Sequence, residues 1–508
     1  MFAQKSPLIV TQNVINTVVG YIGLFFITRF LSPDVFGFLA FVMGFGGVFS
    51  FIADMGFSAA HQKHLSEGKD IGICNGTYLA VKIVLGFVYV GVVFGALFVW
   101  TSVLHNGFEN PVEFWMIIAI TPYYFFQSLL GFAQAYFTAK LSPARMAIPS
   151  IAEAIIRNSI FIGLGLIFYL HLSYGNEIHA AILLAATYSF SYSIYFVLGV
   201  VLGRPWVISR PTRRMFNLYA AIAIPLAVSG SLGVINGNVD KVIIQYYWHA
   251  VATGAFYLDQ KIVQSMTALA AAITVFFLPL LSRITKAEQA EEFTSSISQF
   301  ERMTSLFVLP FIVIFIALNR FIVNLFNAAY VEYSVILSVL ALNVYFNVTL
   351  MPYASALTAR GRTRIIAAVS GIRVSLNIAL NLILVPPIIF GITFLSLGVV
   401  GAAVSSLTAT IVNNIFFRYI LLKGEGAKAS AGILKHLIPV GAQFLSIYIM
   451  LMFFTPYPIF VLAPFAVVSL LVYLGVAIAI KEISFSQVWT FAMSLNPLVM
   501  LKQLREER

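Results

Sequence analysis

Apolar residues in this chain gather into fourteen long stretches separated by short polar loops. The stretches run at 8–31, 35–58, 76–104, 112–137, 146–170, 178–202, 216–247, 254–281, 304–326, 334–357, 365–390, 396–421, 433–454 and 458–480. A helix rising ~1.5 Å per residue crosses a ~30 Å hydrocarbon core in each of them. Lipid offers no partner to an unpaired backbone N–H or C=O, so each stretch is predicted to be helical. The expected fold is an all-α polytopic membrane protein with about fourteen transmembrane helices. Composition strengthens this reading, with 60% hydrophobic residues, 10% charged residues and a mean hydropathy of +0.94.

The placement of charge then sets an orientation. With a cytoplasmic N-terminus, alternate loops and the tail hold 23 of the 30 Lys and Arg, from Lys5, Lys63 and Lys69 through Arg210–Arg214 and Arg360–Arg364 to Arg508. That asymmetry is the positive-inside pattern, and an even span count returns the C-terminus to the cytoplasm. The net charge of +11 therefore reports topology and an affinity for anionic headgroups. It does not describe a nucleic-acid footprint, because there is no soluble domain to carry one.

Absences narrow the class further. One cysteine, Cys74, rules out an internal disulfide and a thiolate cluster. His61 and His64 are the only close histidine pair and read as part of a solvated loop, so no metal site is expected. The chain has no phosphate-binding G-x-x-x-x-G-K-[ST] loop and no loop beyond about twenty residues for a catalytic domain, and because the first apolar run is of full span length no cleavable leader is expected. No cofactor is expected either. Asn75-Gly76-Thr77 matches a glycosylation sequon, but its cytoplasmic placement makes the match fortuitous.

The chain also repeats. Thr138-Ala139-Lys140 followed by Arg145 and Asn158 is echoed by Thr358-Ala359-Arg360 followed by Arg364 and Asn377, and both Arg-to-Asn separations are 13 residues. Val35-Phe36-Gly37-Phe38-Leu39-Ala40 is echoed by Ala252-Thr253-Gly254-Ala255-Phe256-Tyr257, and all these landmarks lie 217 to 220 residues apart. The expected organisation is a six-helix bundle at 1–202, a basic linker at 203–214, a second bundle at 215–422, and two added helices with an amphipathic tail at 423–508. Six spans per copy make the copies parallel, related by an axis along the membrane normal, an arrangement suited to alternating access with the linker as a hinge connection. The tail at 481–508 is expected on the inner membrane surface.

At this point the residues resemble a family. Ile27-Thr28-Arg29-Phe30-Leu31-Ser32-Pro33-Asp34-Val35-Phe36-Gly37 resembles the first hairpin of the polysaccharide transporters, a branch of the multidrug/oligosaccharidyl-lipid/polysaccharide exporter superfamily. Ala53-Asp54-Met55-Gly56-Phe57, Asn238-Val239-Asp240-Lys241-Val242 and Gly398-Val399-Val400-Gly401-Ala402 are similar to later steps of the same pattern, covering spans 1 to 12. The resemblance implies a flippase for O-antigen-type lipid-linked oligosaccharides. A lipid II flippase or a multidrug exporter of the same superfamily remains an alternative.

Polar residues within the spans supply the candidate site, since charge at depth costs ~2.5–3.5 kcal/mol per residue and usually faces a cavity or a partner. Span 5 carries Glu153 and Arg157 on one face, and span 11 carries Arg373, Asn377 and Asn381 at every fourth residue. Arg157 and Arg373 are the expected phosphate ligands, because guanidinium presents a planar fork to phosphate oxygens. Asn377, Asn381, Asn343 and Asn347 are expected to meet sugar hydroxyls. Arg29 and Lys82 are further cavity candidates, each with a second reading in which it snorkels to the headgroups. Asp240 and Lys261 lie equally far from the turn between spans 7 and 8 and could pair as a gate, with Arg320 a further gating candidate. Glu153–Arg157 can also be read as a pair that only neutralises itself, and Asp54 as a helix-end contact.

The expected activity is movement of a polyprenyl-phosphate-linked oligosaccharide to the outer leaflet of the cell membrane, with no catalytic residue. Expected partners are that substrate and membrane lipids. A coupling cation (Na⁺ or H⁺) and a polysaccharide polymerase or glycosyltransferase are also compatible with the reading. A membrane-embedded glycosyltransferase or polymerase would need catalytic carboxylates on an outer loop, where Asp34, Glu109, Glu113, Glu177 and Glu332 look few and isolated. A purely structural role conflicts with ionisable residues kept at depth.

Overall fold

The computed structural model describes residues 6–103, 108–139, 143–170, 177–202, 207–283, 290–388, 395–425, 435–454 and 459–484. Lys5, Lys140, Arg204, Lys286, Lys428, the first part of the linker (203–206) and the tail from 485 onward lie outside the described residues. Among the described residues all regular structure is helical. In chain order the helices are α1 (Ser6–Phe30), α2 (Pro33–Phe49), α3 (Phe57–Ser66), α4 (Ile71–Phe98), α5 (Val112–Ala139), α6 (Ala147–Tyr169), α7 (Glu177–Leu202) and α8 (Arg213–Arg283). They continue with α9 (Ala290–Ala317), α10 (Asn319–Phe326), α11 (Val335–Ala359), α12 (Thr363–Leu384), α13 (Gly398–Glu425), α14 (Leu437–Phe453) and α15 (Ile459–Ala479).

Twelve helical stretches among the described residues are long and apolar enough to cross a membrane. One of them, Arg213–Thr267, runs for 55 residues and covers the seventh predicted span and the first half of the eighth. Its backbone breaks at His249 (φ 66°, ψ −172°), at the predicted turn. The shorter Leu437–Phe453 corresponds to the thirteenth predicted span, so about fourteen crossings stand. Two boundaries differ from expectation. The second span stops at Phe49, passes through a 3-10 turn and reverses at Met55 (φ 45°) and Gly56 (φ 76°), so that α3 is a separate polar helix. The ninth span begins earlier and ends at Ala317, with α10 as a separate short helix after Leu318.

The chain divides into two compact units, Met1–Gly254 and Ala255–Arg508. In the first, α1 packs on α6, α6 on α7, α7 on α5, and α5 on α2, α3 and α4. In the second, α11 packs on α9 and α13, α12 on α13, and α14 on α15 and α9. The pairings α5 with α7, α6 with α7 and α4 with α5 thus recur as α11 with α13, α12 with α13 and α9 with α11. Asn158 and Asn377 occupy equivalent places in the sequence repeat and are 1% and 0% exposed.

Small residues decide which helices go inside. Of the most apolar window in each span, 72% is buried in Pro33–Ala53 but only 17% in Gln12–Phe30. In α2, a methyl group on Gly37 would lie 2.0 Å from the Ala250 carbonyl oxygen, and Gly44 and Gly47 abut Lys241 and Asn238 of α8. Glycines let backbones approach this closely where lipid gives no hydrophobic drive between helices. In α1, by contrast, Val14, Val18 and Ile22 stand exposed at four-residue spacing, as a lipid-facing stripe does.

The second part of the linker is strapped onto α4. Ser209 N–H donates to the Gly72 carbonyl at 2.9 Å, Asn75 Nδ2 donates to the Val207 carbonyl at 3.0 Å, and Thr212 N–H donates to Thr77 Oγ1 at 3.2 Å. A methyl on Gly76 would stand 1.8 Å from the Ser209 carbonyl oxygen, so this groove requires glycine. The contact also buries Asn75, the sequon asparagine, completely.

Candidate functional site

On α6, Glu153 is 5% exposed and accepts a hydrogen bond from Arg157 Nε at 2.6 Å. Four residues is one helical turn, which brings the two side chains together without tertiary help. Ser191 of α7 adds a second donor to Glu153 Oε1 at 3.3 Å. The guanidinium lies over the Tyr188 ring at 5.2 Å and near Phe161 at 5.9 Å. Tyr123 packs edge-on against Tyr192 at 4.5 Å and Tyr188 at 5.5 Å, which completes an aromatic wall. A cation over ring faces and beside a buried carboxylate keeps its charge at depth.

The equivalent helix, α12, is built differently. Asn377 and Asn381 are both fully buried. Asn381 Nδ2 donates to the Asn377 carbonyl at 3.0 Å, and Ser406 of α13 donates to Asn377 Oδ1 at 3.3 Å. Arg373, one turn earlier, is half-buried. The amide pair of the expected polar stripe thus lies within the α12–α13 contact. On α11, Asn343 and Asn347 are half-buried one turn apart, and Asn414 Nδ2 of α13 donates to the neighbouring Phe346 carbonyl at 2.8 Å.

Lys82 does not snorkel. Its side chain is 0% exposed and salt-bridged to Asp54, and Nζ also donates to the Ala53 carbonyl and to Ser128 Oγ, each at 3.2 Å. Burial raises the Asp54 carboxyl, but Lys82, the Ser58 hydroxyl and the Gly56 amide outweigh it and hold the group below its usual range. Beside it His61 is buried rather than solvated, stacked on Tyr78 at 4.1 Å with Nδ1 2.7 Å from the Tyr219 hydroxyl. Burial, with Lys82 and His64 adding to it, pushes His61 down to about 3.

The remaining candidates are spread out. Arg29 and Arg320 are exposed near helix ends. Asp240 is buried in the first unit; Lys261, in the second, places Nζ 5.1 Å from the Tyr257 ring. Of the five acids read as few and isolated, Asp34, Glu109, Glu113 and Glu177 come together, while Glu332 is exposed. Asp34, Glu109 and Glu177 line one cavity of about 320 Å³. Below it the buried Glu113 accepts from Gln245 at 2.9 Å, and Glu109 accepts from the Ala250 amide at 2.8 Å. Folding the loops between α2, α5 and α7 together gathers charges that lie far apart in sequence.

Three features escaped the sequence reading. Arg418 and Arg302, counted as loop charges, are engaged inside the second unit: Arg418 binds the buried Glu301, which also accepts from Tyr353 at 2.6 Å, and Arg302 binds Glu482 at 2.5 Å. His436 lies 3.5 Å from the same Glu482. Asp259, a lone acid in an apolar run, is 1% exposed. An acid within an apolar run is the sequence signal that marks it, two residues before Lys261.

Two units of packed apolar helices, each with charge sheltered inside, define a polytopic membrane protein, and solved structures share the fold. "Lipid II flippase MurJ, inward closed conformation" matches with a TM-score of 0.71 at 16% identity, over 93% of this chain and 99% of that one. An inward-facing multidrug resistance MATE family transporter of the MOP superfamily matches at 0.60 and 11% identity, over 83% and 99%. In sequence, the probable low-salt glycan biosynthesis flippase Agl15 of Haloferax volcanii is 22% identical over 432 residues, 82% of this chain and 83% of the relative. Residues 26–335 match the family described as polysaccharide biosynthesis protein, and the chain belongs to that family.

Proposed function

We propose that this protein is a flippase that moves a polyprenyl-phosphate-linked oligosaccharide from the inner to the outer leaflet of the cell membrane, with both termini cytoplasmic. The observation that carries the reading is membership of the polysaccharide biosynthesis family in a chain with about fourteen spans. The loop charge asymmetry supports the orientation. The recurring helix pairings and the matched burial of Asn158 and Asn377 support parallel bundles at 1–202 and 215–422 that alternate access.

In this mechanism Arg157 and Arg373 receive the phosphate. Glu153 takes Nε of Arg157 and orients the guanidinium, leaving the Nη edge for phosphate oxygens. Tyr188, Tyr192, Asn343 and Asn347 offer rings and amides to sugars, while Asn377 and Asn381 hold α12 on α13 and so position Arg373. The prenyl chain stays in lipid. The Asp54–Lys82 pair ties the end of α2 to α4 and α5, and Asp240 and Lys261 are retained as gating residues. A glycosyltransferase and a polymerase, supplying and consuming the substrate, are the expected functional partners.

The test is accumulation of cytoplasm-facing lipid-linked oligosaccharide in cells that lack the protein, relieved by the wild-type chain. No accumulation, or no relief, would refute the reading. Reporter fusions after Arg214 and after Arg508 should both behave as cytoplasmic, and an outside signal at either overturns the topology.

A further inference from the structure

Pro122 lies inside α5, one residue before Tyr123 of the aromatic wall. A proline has no N–H, so the helical rung to the Ile118 carbonyl is missing there. Thr121 turns its hydroxyl back onto the Ile117 carbonyl at 2.7 Å. The rung after the proline is bridged from α7. The Tyr123 amide donates to Ser189 Oγ at 3.0 Å, and the same hydroxyl donates to the Ala119 carbonyl. Those are the two groups that a regular helix joins directly, so each could satisfy the other without Ser189. Nor does Ser189 take the carbonyl that the proline frees, which belongs to Ile118. At the proline of α9 the repair is the plainer one: the Tyr473 hydroxyl of α15 donates to the freed Leu306 carbonyl at 3.2 Å.

A side chain set against the i→i−4 ladder bends a helix where it enters, and so turns the residue that carries the N–H. Here that residue is Tyr123. Its ring packs edge-on against Tyr192 at 4.5 Å and Tyr188 at 5.5 Å, and its hydroxyl accepts from Gln127 at 3.2 Å. Tyr188 in turn underlies the Arg157 guanidinium. One turn of α7 therefore serves both neighbours, because Ser189 holds α5 while Ser191 donates to Glu153 on α6. We propose that Ser189 is a positioning residue for the Arg157 site: by bridging the α5 rung beside Pro122, it sets the Tyr123 ring in the wall and thereby how far the guanidinium is covered. Ser189 acts through Tyr123 and does not touch substrate. Without the hydroxyl the Tyr123 amide closes onto Ala119, α5 straightens, and the ring leaves Tyr188 and Tyr192. The inference rests on the reading of Arg157 as a phosphate ligand and adds what controls access to it.

The experiment uses the full chain in lipid vesicles, with two readouts beside the melting temperature. One is the rate at which phenylglyoxal modifies Arg157, read by mass spectrometry of its peptide. The other is flipping against the density of lipid-linked oligosaccharide. Ser189→Ala should melt close to wild type, since the two backbone groups it releases can bond each other. Arg157 should nevertheless be modified faster, and the apparent KM should rise about fivefold at a similar maximal rate. Ser189→Thr, which keeps the hydroxyl, should bring both readouts back toward wild type. An Ser189→Ala protein with unchanged Arg157 modification overturns the proposal, as does Ser189→Thr behaving like Ser189→Ala. If Ser189→Ala inserts poorly, Pro122→Ala/Ser189→Ala restores the missing rung and carries the same test: faster modification of Arg157 supports the proposal and an unchanged rate overturns it. A wild-type protein that flips no lipid-linked oligosaccharide refutes the transport reading, while the modification rates still decide the positioning.

Discussion

Helices α6 and α12 hold the same place in the repeat and keep matching asparagines, Asn158 and Asn377, yet they solve the problem of polarity in lipid in opposite ways. On α6 the charge is complete within one turn, where Glu153 and Arg157 neutralise each other and Tyr188 covers the cation. On α12 the buried groups are neutral amides bound to each other and to α13, and Arg373 is half-buried one turn away. A charge pair can be closed by one helix, whereas an amide pair with leftover donors and acceptors needs a second.

The largest effect is expected on α6. Arg157→Ala leaves Glu153 buried and unpaired and should cost ~3–5 kcal/mol, read as a lowered melting temperature in detergent, together with loss of flipping. The double variant Glu153→Gln/Arg157→Gln should regain most of the stability but not the flipping. Normal flipping by the double variant would reduce the pair to a structural role. Arg157→Lys should recover activity only in part, because the point charge loses the fork geometry.

A second contrast within the first unit is smaller and asymmetric. Lys82 is sealed in, while the Asp54 side chain is 44% exposed. Asp54→Asn should therefore cost more than Lys82→Met, by ~1–2 kcal/mol, since only the lysine is left charged away from water. Equal melting temperatures for the two variants would show that the buried lysine finds another partner.

On α12, Asn377→Ala removes one acceptor and frees the Ser406 hydroxyl, with an expected cost of ~1–2 kcal/mol. Ser406→Ala, made alone and together with it, should show non-additivity; strictly additive losses would mean that the two helices are not coupled through this bond.

A further prediction concerns pH. His61 is held at about 3 in the folded protein against an ordinary 6.5, so the unfolded state binds more protons between those values. Stability from this group is full above about 6.5 and declines as pH falls toward about 3. His61→Gln should flatten that acid limb of the melting curve, and an unchanged limb would place the proton uptake elsewhere.

Much of the architecture was legible because lipid imposes it. Span length, helicity and loop charge follow from bilayer thickness and desolvation, and the turn at 249–250 fell where the apolar runs required it. The i, i+4 pairing of Glu153 with Arg157 was legible for the same reason, since helical geometry alone brings them together. Lys82, His61 and the outer acids were misjudged because their environments come from elements distant in sequence. A lysine near a span end reads as a snorkeller until α2 delivers Asp54, and acids at 34, 109 and 177 read as solitary until three loops converge.

What the sequence by itself determined is therefore what one segment and a bilayer decide between them: helical spans, their number, and the charge pairs a single turn can close. Tertiary structure alone decided which polar groups are satisfied. It buried Asn377 in the α12–α13 contact and strapped Ser209 onto the glycines of α4. Partner choice in a low-dielectric interior depends on distances of a few ångströms between helices, and no local pattern encodes those distances.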